Sequence, residues 1–308
     1  MKGTEMTDKK VACLGLGGMG GGIAGRLTDL GWKPVLWNRS IEKAQTIAEG
    51  SGGVAITPAE AVTGVDVAML SLADEPSVES VLFGENGVVS ALRKGAMVVD
   101  MSTVSPEYSR QVTGRLNELG FRRVEANLVG NPMQARAGAA RVLAGGATED
   151  IDEVRELLTV IGRQLVELGA IGVAATLKLA LNALLGSQVV ALAEVVNYGV
   201  EAGLDRDLLL RTIAESAFSS PVMSHRANLM REEKYVPAGF RSVLMEKDLR
   251  LTVADAAIQG VQLPVIATAA RRYERMVAAG KGELDAAAIL DQQFADAGDE
   301  TKSQVSAS

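Results

Sequence analysis

Across its 308 residues the chain carries one cysteine, one histidine and no excess of positive charge. A lone thiol, Cys13, excludes an internal disulfide framework and fits a reducing compartment, so a cytoplasmic location is expected. Its surroundings, Val11-Ala12-Cys13-Leu14, read as a buried strand, where a thiol serves packing rather than chemistry. With 31 basic and 38 acidic residues the net charge is −7. A nucleic-acid binder leaves a basic footprint, so no nucleic-acid partner is expected. The same balance means that an anionic ligand must be gripped by local donors, because the overall field opposes it. The single histidine, His225, lies in Ser219-Ser220-Pro221-Val222-Met223-Ser224-His225 and is read as a helix-surface residue, not a catalyst.

Uninterrupted apolar runs are also scarce. Residues 11–24 follow Lys9-Lys10 in the outline of a signal peptide, but seven glycines punctuate 15–25 and Arg26 and Asp29 follow at once. Residues 169–193 hold one charge in 25 and are long enough to span a bilayer. That charge, Lys178, sits inside the run with Asn182 and Gln188, and a lysine there would cost a few kcal/mol in lipid. A helix buried in protein is expected, and no membrane partner.

What remains is a chain long enough for two domains, 47% hydrophobic and 22% charged. The first half alternates strand-like runs (11–14, 34–37, 54–56, 67–72, 97–101, 124–129, 142–144, 164–168) with helices starting near Met19, Ile41, Pro58, Pro76, Pro106 and Ile151. Thr57-Pro58-Ala59-Glu60 has the form of a capping box with proline at the first helical position, and Ser105-Pro106 repeats the cap-plus-proline pattern. Such alternation implies a largely parallel sheet covered on both faces. The second half reads as helix throughout: 171–202, 205–217, 221–230, 243–259, 264–279 and a short piece near 284–290. The expected organisation is an α/β, doubly wound N-terminal domain over 1–168, linked by a long helix to an all-α domain over 169–296. A polar tail, 297–308, is expected to be disordered.

Gly15-Leu16-Gly17-Gly18-Met19-Gly20 fits G-x-G-x-x-G. The pattern alone is weak among 33 glycines, but here it follows a strand and opens a helix in the first strand–helix unit. Residues without a Cβ let a pyrophosphate reach the helix N-terminus, where free N–H groups and the dipole favour an anion. This marks a Rossmann-type dinucleotide site. At the end of the second strand an NAD enzyme usually carries an acid for the ribose hydroxyls. Here stand Trp37-Asn38-Arg39-Ser40, with Asn38 18 residues beyond Gly20. A guanidinium binds the extra phosphate of NADP through paired hydrogen bonds, and Asn38 and Ser40 add neutral donors. NADP(H) is the expected cofactor, and no metal site is read.

Lys178 is the only charge between Glu167 and Glu194. Its helical neighbours Ile171, Ala174, Ala175, Leu181 and Leu185 are apolar, and Asn182 lies one turn on. Such a lysine snorkels, pairs with a carboxylate, or does chemistry with a lowered pKa. The residues alone leave these open.

Four motifs, in this order, carry a resemblance over about residues 10–290. They are the glycine motif; Asp100-Met101-Ser102-Thr103-Val104-Ser105-Pro106; the stretch 169–182 holding Lys178; and Lys247-Asp248-Leu249. The chain resembles the β-hydroxyacid dehydrogenases, which include 3-hydroxyisobutyrate dehydrogenases and glyoxylate/succinic semialdehyde reductases. The resemblance implies that Lys178 is the general acid/base and that Asn182 orients the lysine or the substrate. It also implies that Thr103 and the backbone at Leu72-Ala73 lie near the nicotinamide, and that Lys247 closes over the cofactor from the helical domain. The active site is then expected between the two domains of each subunit. Hydride delivery to a carbonyl builds charge on oxygen and needs a proton donor in reach.

One departure matters. The family usually carries Asp-Ala-Pro-Val-Ser-Gly-Gly, whose Ser-Gly-Gly donors hold a substrate carboxylate. The aligned residues here are Glu125-Ala126-Asn127-Leu128-Val129-Gly130-Asn131, then Pro132. Val129 loses a hydroxyl, leaving the N–H groups of Gly130 and Asn131 and the Asn131 side chain as the expected substrate contacts. A larger or less anionic carbonyl substrate is expected. The reading is an NADPH-dependent reductase of an aldehyde or semialdehyde, reversible toward the hydroxy compound. Imine reduction is an alternative, against which Lys178 counts, since imine reductases of this type typically carry Asp or Tyr there. A non-catalytic NADP-binding interaction module is a second alternative. The apolar long helix is expected to form a homodimer contact.

Overall fold

A computed structural model describes residues 9–295, so the 297–308 tail lies outside the described residues. The chain divides into two compact units, Met1–Leu179 and Ala180–Ser308.

The first unit is built on seven strands: β1 Val11–Leu14, β2 Val35–Trp37, β3 Val67–Leu70, β4 Met97–Asp100, β5 Arg122–Val129, β6 Arg141–Gly145 and β7 Gln164–Glu167. Their order is β2-β1-β3-β4-β5-β6-β7. Every neighbouring pair is parallel except β5 and β6, which run antiparallel. Alternating residues feed two cores. Val11, Cys13, Met69, Val99 and Val124 face Ile23 and Leu27 of α1 (Gly18–Asp29) and Val154 and Leu158 of α7 (Thr148–Ile161). Ala12, Leu14, Leu70 and Val98 face Val78 and Leu82 of α4 (Glu75–Phe83) and Val112 and Leu116 of α5 (Pro106–Glu118). Strands buried on both faces read as continuous apolar runs, which is why they were legible in the sequence. Cys13 lies in the first core, and burial pushes its thiol up to about 12.

Short helices α2 (Ile41–Thr46) and α3 (Pro58–Ala61) follow β2. The Thr57 hydroxyl accepts from Glu60 N at 3.1 Å, as the capping pattern implies, while the Glu60 carboxylate accepts from Ile56 N at 2.8 Å, one residue before the cap. Ser105 caps α5 through Tyr108 N at 3.2 Å. Two expectations need correction. Residues 54–56 form no strand; only a single bridge joins Val54 to Leu36, because Gly52 and Gly53 before it disfavour a strand and Pro58 after it has no N–H to give a ladder. The sequence reading places no helix after Val129, whereas the structure has one there, α6 (Pro132–Ala137).

The long helix, α8, runs over Val173–Glu201. Its first residues, as far as Leu179, group with the first compact unit. The reason is local: Gly172 N donates to the Glu125 carboxylate at 2.9 Å, and Ala174, Ala175 and Leu179 are buried. By length and hydropathy α8 is the one candidate span among the described residues, yet half of its apolar window is buried in protein. The second unit continues with α9 (Arg206–Glu215), α10 (Pro221–Glu232), α11 (Ser242–Ile258) and α12 (Pro264–Met276). Val189, Val196, Met245, Leu249, Tyr273 and Leu290 fill its core. His225 is exposed on α10.

Candidate functional site

The strand order turns at β1: β2 lies on one side and β3 on the other. In open α/β sheets ligands bind outside the carboxyl ends of the strands at such a switch point. The glycine turn is there. Gly15 N donates to Trp37 O at 2.9 Å, and Ser71 N, just past β3, donates to Leu14 O at 2.9 Å. Gly15 has φ +88°, and a Cβ on it would stand 2.4 Å from Ser71 O; on Gly20 a Cβ would stand 2.0 Å from Gly15 O. Both positions exclude a side chain for packing reasons alone. Gly17 differs: a Cβ there would meet nothing within 4 Å. Gly17 and Gly18 are exposed, and α1 begins at Gly18, so the first N–H groups of that helix, including that of Met19, have no intrahelical acceptor. An exposed, Cβ-free backbone at a helix N-terminus fits a pyrophosphate.

At the end of β2, Asn38 Oδ1 accepts from Leu16 N at 2.9 Å and Asn38 Nδ2 donates to Ser40 O at 3.0 Å. The amide expected to add a neutral donor beside the extra phosphate thus also shapes the glycine turn itself. Arg39 and Ser40 are exposed beside it, and the Ser40 hydroxyl makes no capping bond to α2.

The next carboxyl ends carry Leu72-Ala73 and Ser102-Thr103. Ser102 is held at three atoms. Its N–H donates to Asp100 Oδ1 at 2.9 Å, its hydroxyl accepts from Leu72 N at 3.0 Å, and its carbonyl accepts from Asn127 Nδ2 at 2.9 Å. Leu72 N–H is therefore engaged, while Thr103 follows a backbone that is pinned. Glu75 Oε1 adds a further tie by accepting from Ser105 N at 2.8 Å. Ser102, Asn127 and the carboxylates around them stand in the motifs quoted above without an assigned role; charges within a central strand, Arg123 and Glu125, were the available signal.

Lys178 lies half-buried on α8 within the first unit, together with the glycine turn, Arg39, Leu72, Ala73 and Thr103. Asn182, on the same helix, and Lys247 belong to the second unit. There Asp248, also unassigned from sequence, joins them. Its Oδ2 accepts from Asn182 Nδ2 at 2.6 Å, and Lys247 Nζ lies 3.0 Å from its Oδ1, in an ion pair outside hydrogen-bonding alignment. A carboxylate only accepts, so the Asn182 amide nitrogen must face Asp248 and its oxygen must face away. All three are buried.

Val129, Gly130 and Asn131 stand at the end of β5 and the start of α6. Asn131 is the N-cap of that helix: its Oδ1 accepts from Gln134 N at 2.9 Å, and its N–H donates to Gln134 Oε1 at 3.0 Å. Two of the groups left for substrate by the sequence, the Asn131 N–H and side-chain oxygen, are consumed by this capping box. Asn131-Pro132-Met133-Gln134 has the same cap-proline form as Thr57-Pro58-Ala59-Glu60, with glutamine in place of glutamate at the fourth position. Pro132 and Arg136 of α6 press on α1, where a Cβ at Gly22 would stand 2.8 Å from Pro132 O.

A family model described as the NAD binding domain of 6-phosphogluconate dehydrogenase matches residues 10–171. A second, described as the NAD-binding domain of NADP-dependent 3-hydroxyisobutyrate dehydrogenase, matches 172–292. The chain is 32% identical over 282 residues to an uncharacterized oxidoreductase of Bacillus subtilis, covering 91% of this chain and 98% of that one. It is 30% identical over 282 residues to glyoxylate/succinic semialdehyde reductase 1 of Arabidopsis thaliana, covering 92% and 97%. In fold it matches a 3-hydroxyisobutyrate dehydrogenase structure from Salmonella typhimurium with a TM-score of 0.85 at 24% identity, over 92% of this chain and 99% of that one. With its glycine turn at the switch point and both family models spanning its length, the chain belongs to the β-hydroxyacid dehydrogenase family of NAD(P)-dependent oxidoreductases.

Proposed function

We propose that the protein is an NADPH-dependent reductase of an aldehyde or semialdehyde, reversible toward the hydroxy compound, with Lys178 as general acid/base. The observation that carries this reading is the placement of Lys178. It is the one charge in an apolar stretch, half-buried on the opening turns of α8, in the same compact unit as the nucleotide turn. A bound nicotinamide supplies the hydride. The chain must supply a proton at the carbonyl oxygen as charge builds there, and the Lys178 ammonium is the donor this reading assigns. In the reverse direction the neutral amine takes the hydroxyl proton.

The NADP preference rests on Arg39, exposed at the end of β2 where an acid would repel a 2′-phosphate. The substrate reading rests on Val129 and Asn131. With the serine hydroxyl gone and the Asn131 N–H held by Gln134, this end of the site is poor in donors for a carboxylate. A larger or less anionic carbonyl compound fits it better. In the second unit, Leu184, Val195 and Tyr198 of α8 are exposed apolar residues, and we read them as a homodimer contact. Sedimentation at micromolar concentration should then show a dimer. The buried lone thiol accords with a reducing cytoplasm.

The decisive experiment is Lys178→Ala with NADPH oxidation followed against succinic semialdehyde, glyoxylate and a cyclic imine. Turnover of the carbonyl compounds should fall by at least ~100-fold while cofactor affinity persists. Near-normal turnover would remove the lysine from the mechanism, and turnover of the imine alone would establish the other reaction. Arg39→Asp should move the preference from NADP toward NAD, read as the ratio of kcat/KM values; an unchanged ratio removes the phosphate clamp.

A further inference from the structure

One face of β5 carries three buried polar residues in a row, Arg123, Glu125 and Asn127, at alternate positions that point the same way. Such a row is costly unless every charge is paired and hydrogen-bonded. Following the bonds shows a single connected chain. Arg123 Nη2 donates to Asp100 Oδ2 at 2.8 Å, and Arg123 Nη1 donates to Ser109 Oγ at 2.8 Å and to Thr113 Oγ1 at 2.9 Å. The Ser109 hydroxyl donates to Glu125 Oε1, and Glu125 Oε2 accepts from Gly172 N at 2.9 Å. At its other end Asp100 holds Ser102 N, and Ser102 in turn holds Leu72 N and is held by Asn127.

The two ends of this chain are the interesting part. One end is the pair of loops at the carboxyl edge of β3 and β4, Leu72 and Ser102-Thr103. The other is the residue before α8: Gly172 O accepts the first helical bond, from Thr176 N at 2.9 Å, so Gly172 occupies the cap position. With φ +95° this glycine has no side chain with which to cap its own helix. A carboxylate from β5 takes the N–H that the helix start leaves unpaired. A side chain six residues further on, that of Lys178, inherits its place from this anchor.

We propose that Glu125 is a positioning residue, which through Ser109, Arg123 and Asp100 sets the start of the Lys178 helix in register with the Leu72 and Ser102-Thr103 loops. This rests on the assignment of Lys178 as the acid/base. Its consequence is that Glu125, without touching substrate or cofactor, controls turnover while leaving nucleotide binding alone. A misplacement of about 1 Å at a reacting group costs on the order of 100-fold in rate.

The test uses the full chain and two readouts. Glu125→Leu keeps the volume and removes both acceptors; Glu125→Gln keeps one oxygen for Gly172 N–H. In the cofactor-free protein, amide hydrogen exchange over 170–178 should quicken by about 10-fold in Glu125→Leu, the scale of one lost buried hydrogen bond. In the same variant kcat should fall by about 10- to 100-fold, with the NADPH dissociation constant by fluorescence titration within about 2-fold. Glu125→Gln should return both quantities to within about 3-fold of the native protein, since the anchoring bond survives. Should Glu125→Leu not fold, Ser109→Ala cuts the chain at its middle link and should show the same pattern at smaller amplitude. Unchanged exchange over 170–178 with unchanged kcat per folded molecule overturns the proposal, even where the melting temperature drops. Exchange is independent of the lysine chemistry. An active Lys178→Ala would therefore sink the acid/base assignment and leave the anchor to be judged, whereas an inactive Lys178→Ala with flat exchange in Glu125→Leu sinks the anchor alone.

Discussion

Among the described residues each unit buries one arginine–aspartate pair, and the two pairs are used differently. In the helical unit, Asp285 is a closed knot. It accepts from Arg226, from Gly239 N at 2.9 Å, from Phe240 N at 3.1 Å and from Ala287 N at 2.9 Å, and so ties the 239–240 turn to the segment after α12. In the sheet unit, the Arg123–Asp100 pair is one link of an open chain that ends on two loops and a helix start. The guanidinium Nε is left without a partner in both arginines. In this respect the two pairs are alike. The difference between them shows what each is for. A knot whose donors all lie within one helical unit holds a fold together, whereas a chain that reaches the carboxyl edge of a sheet passes positional information to a site.

The sharpest way to break this comparison is to remove each carboxylate. Asp285→Ala strands a buried guanidinium and three N–H groups and should cost about 3–5 kcal/mol of stability in chemical denaturation, with turnover per folded molecule retained. If turnover falls in proportion at temperatures where the variant is fully folded, the knot is not merely structural. A smaller effect is expected where α6 meets α1. Gly22→Ala places a Cβ 2.8 Å from Pro132 O and 3.1 Å from Arg136 N, both backbone atoms that cannot yield cheaply, and should cost about 1–3 kcal/mol. An unchanged denaturation midpoint would show that the helices separate freely.

A further effect is a slope with pH. The Cys13 thiol is pushed by burial from 9.0 to about 12, so between those values the folded chain keeps a proton that the unfolded chain has lost. Stability then falls as pH rises through that window, by up to about 1.4 kcal/mol per pH unit from this group. Tyr273, in the core of the second unit, is also pushed up by burial and adds a slope of the same sign at higher pH. Cys13→Ala should flatten the curve between 9 and 12 and leave the tyrosine contribution. An identical slope in the variant would refute burial of the thiol. Below pH 9 the native thiol should not react with disulfide reagents until the chain unfolds.

The alternation of strands and helices, the glycine turn and the proline-led caps at Thr57 and Ser105 could all be read along the chain, since each depends on residues within a few positions of one another. Periodicity, a cap and a Cβ-free turn are local statements. Less legible was a residue that also serves its own backbone. Asn131, expected among the substrate contacts, caps α6 through Gln134. The short apolar run at 54–56 has strand composition but makes only one bridge, to Leu36.

What the amino-acid order determined by itself was therefore the class of fold, the nucleotide turn and the oddity of one lysine in an apolar helix. What only the tertiary structure decided was which distant groups meet: Gly172 with Glu125, Asn182 with Asp248, and Leu72 with Ser102. These bonds span 30 to 66 residues of chain. The physical reason is that a buried polar group must find a partner wherever the packed elements bring one, and that partner is set by the sheet order and helix placement rather than by distance along the sequence.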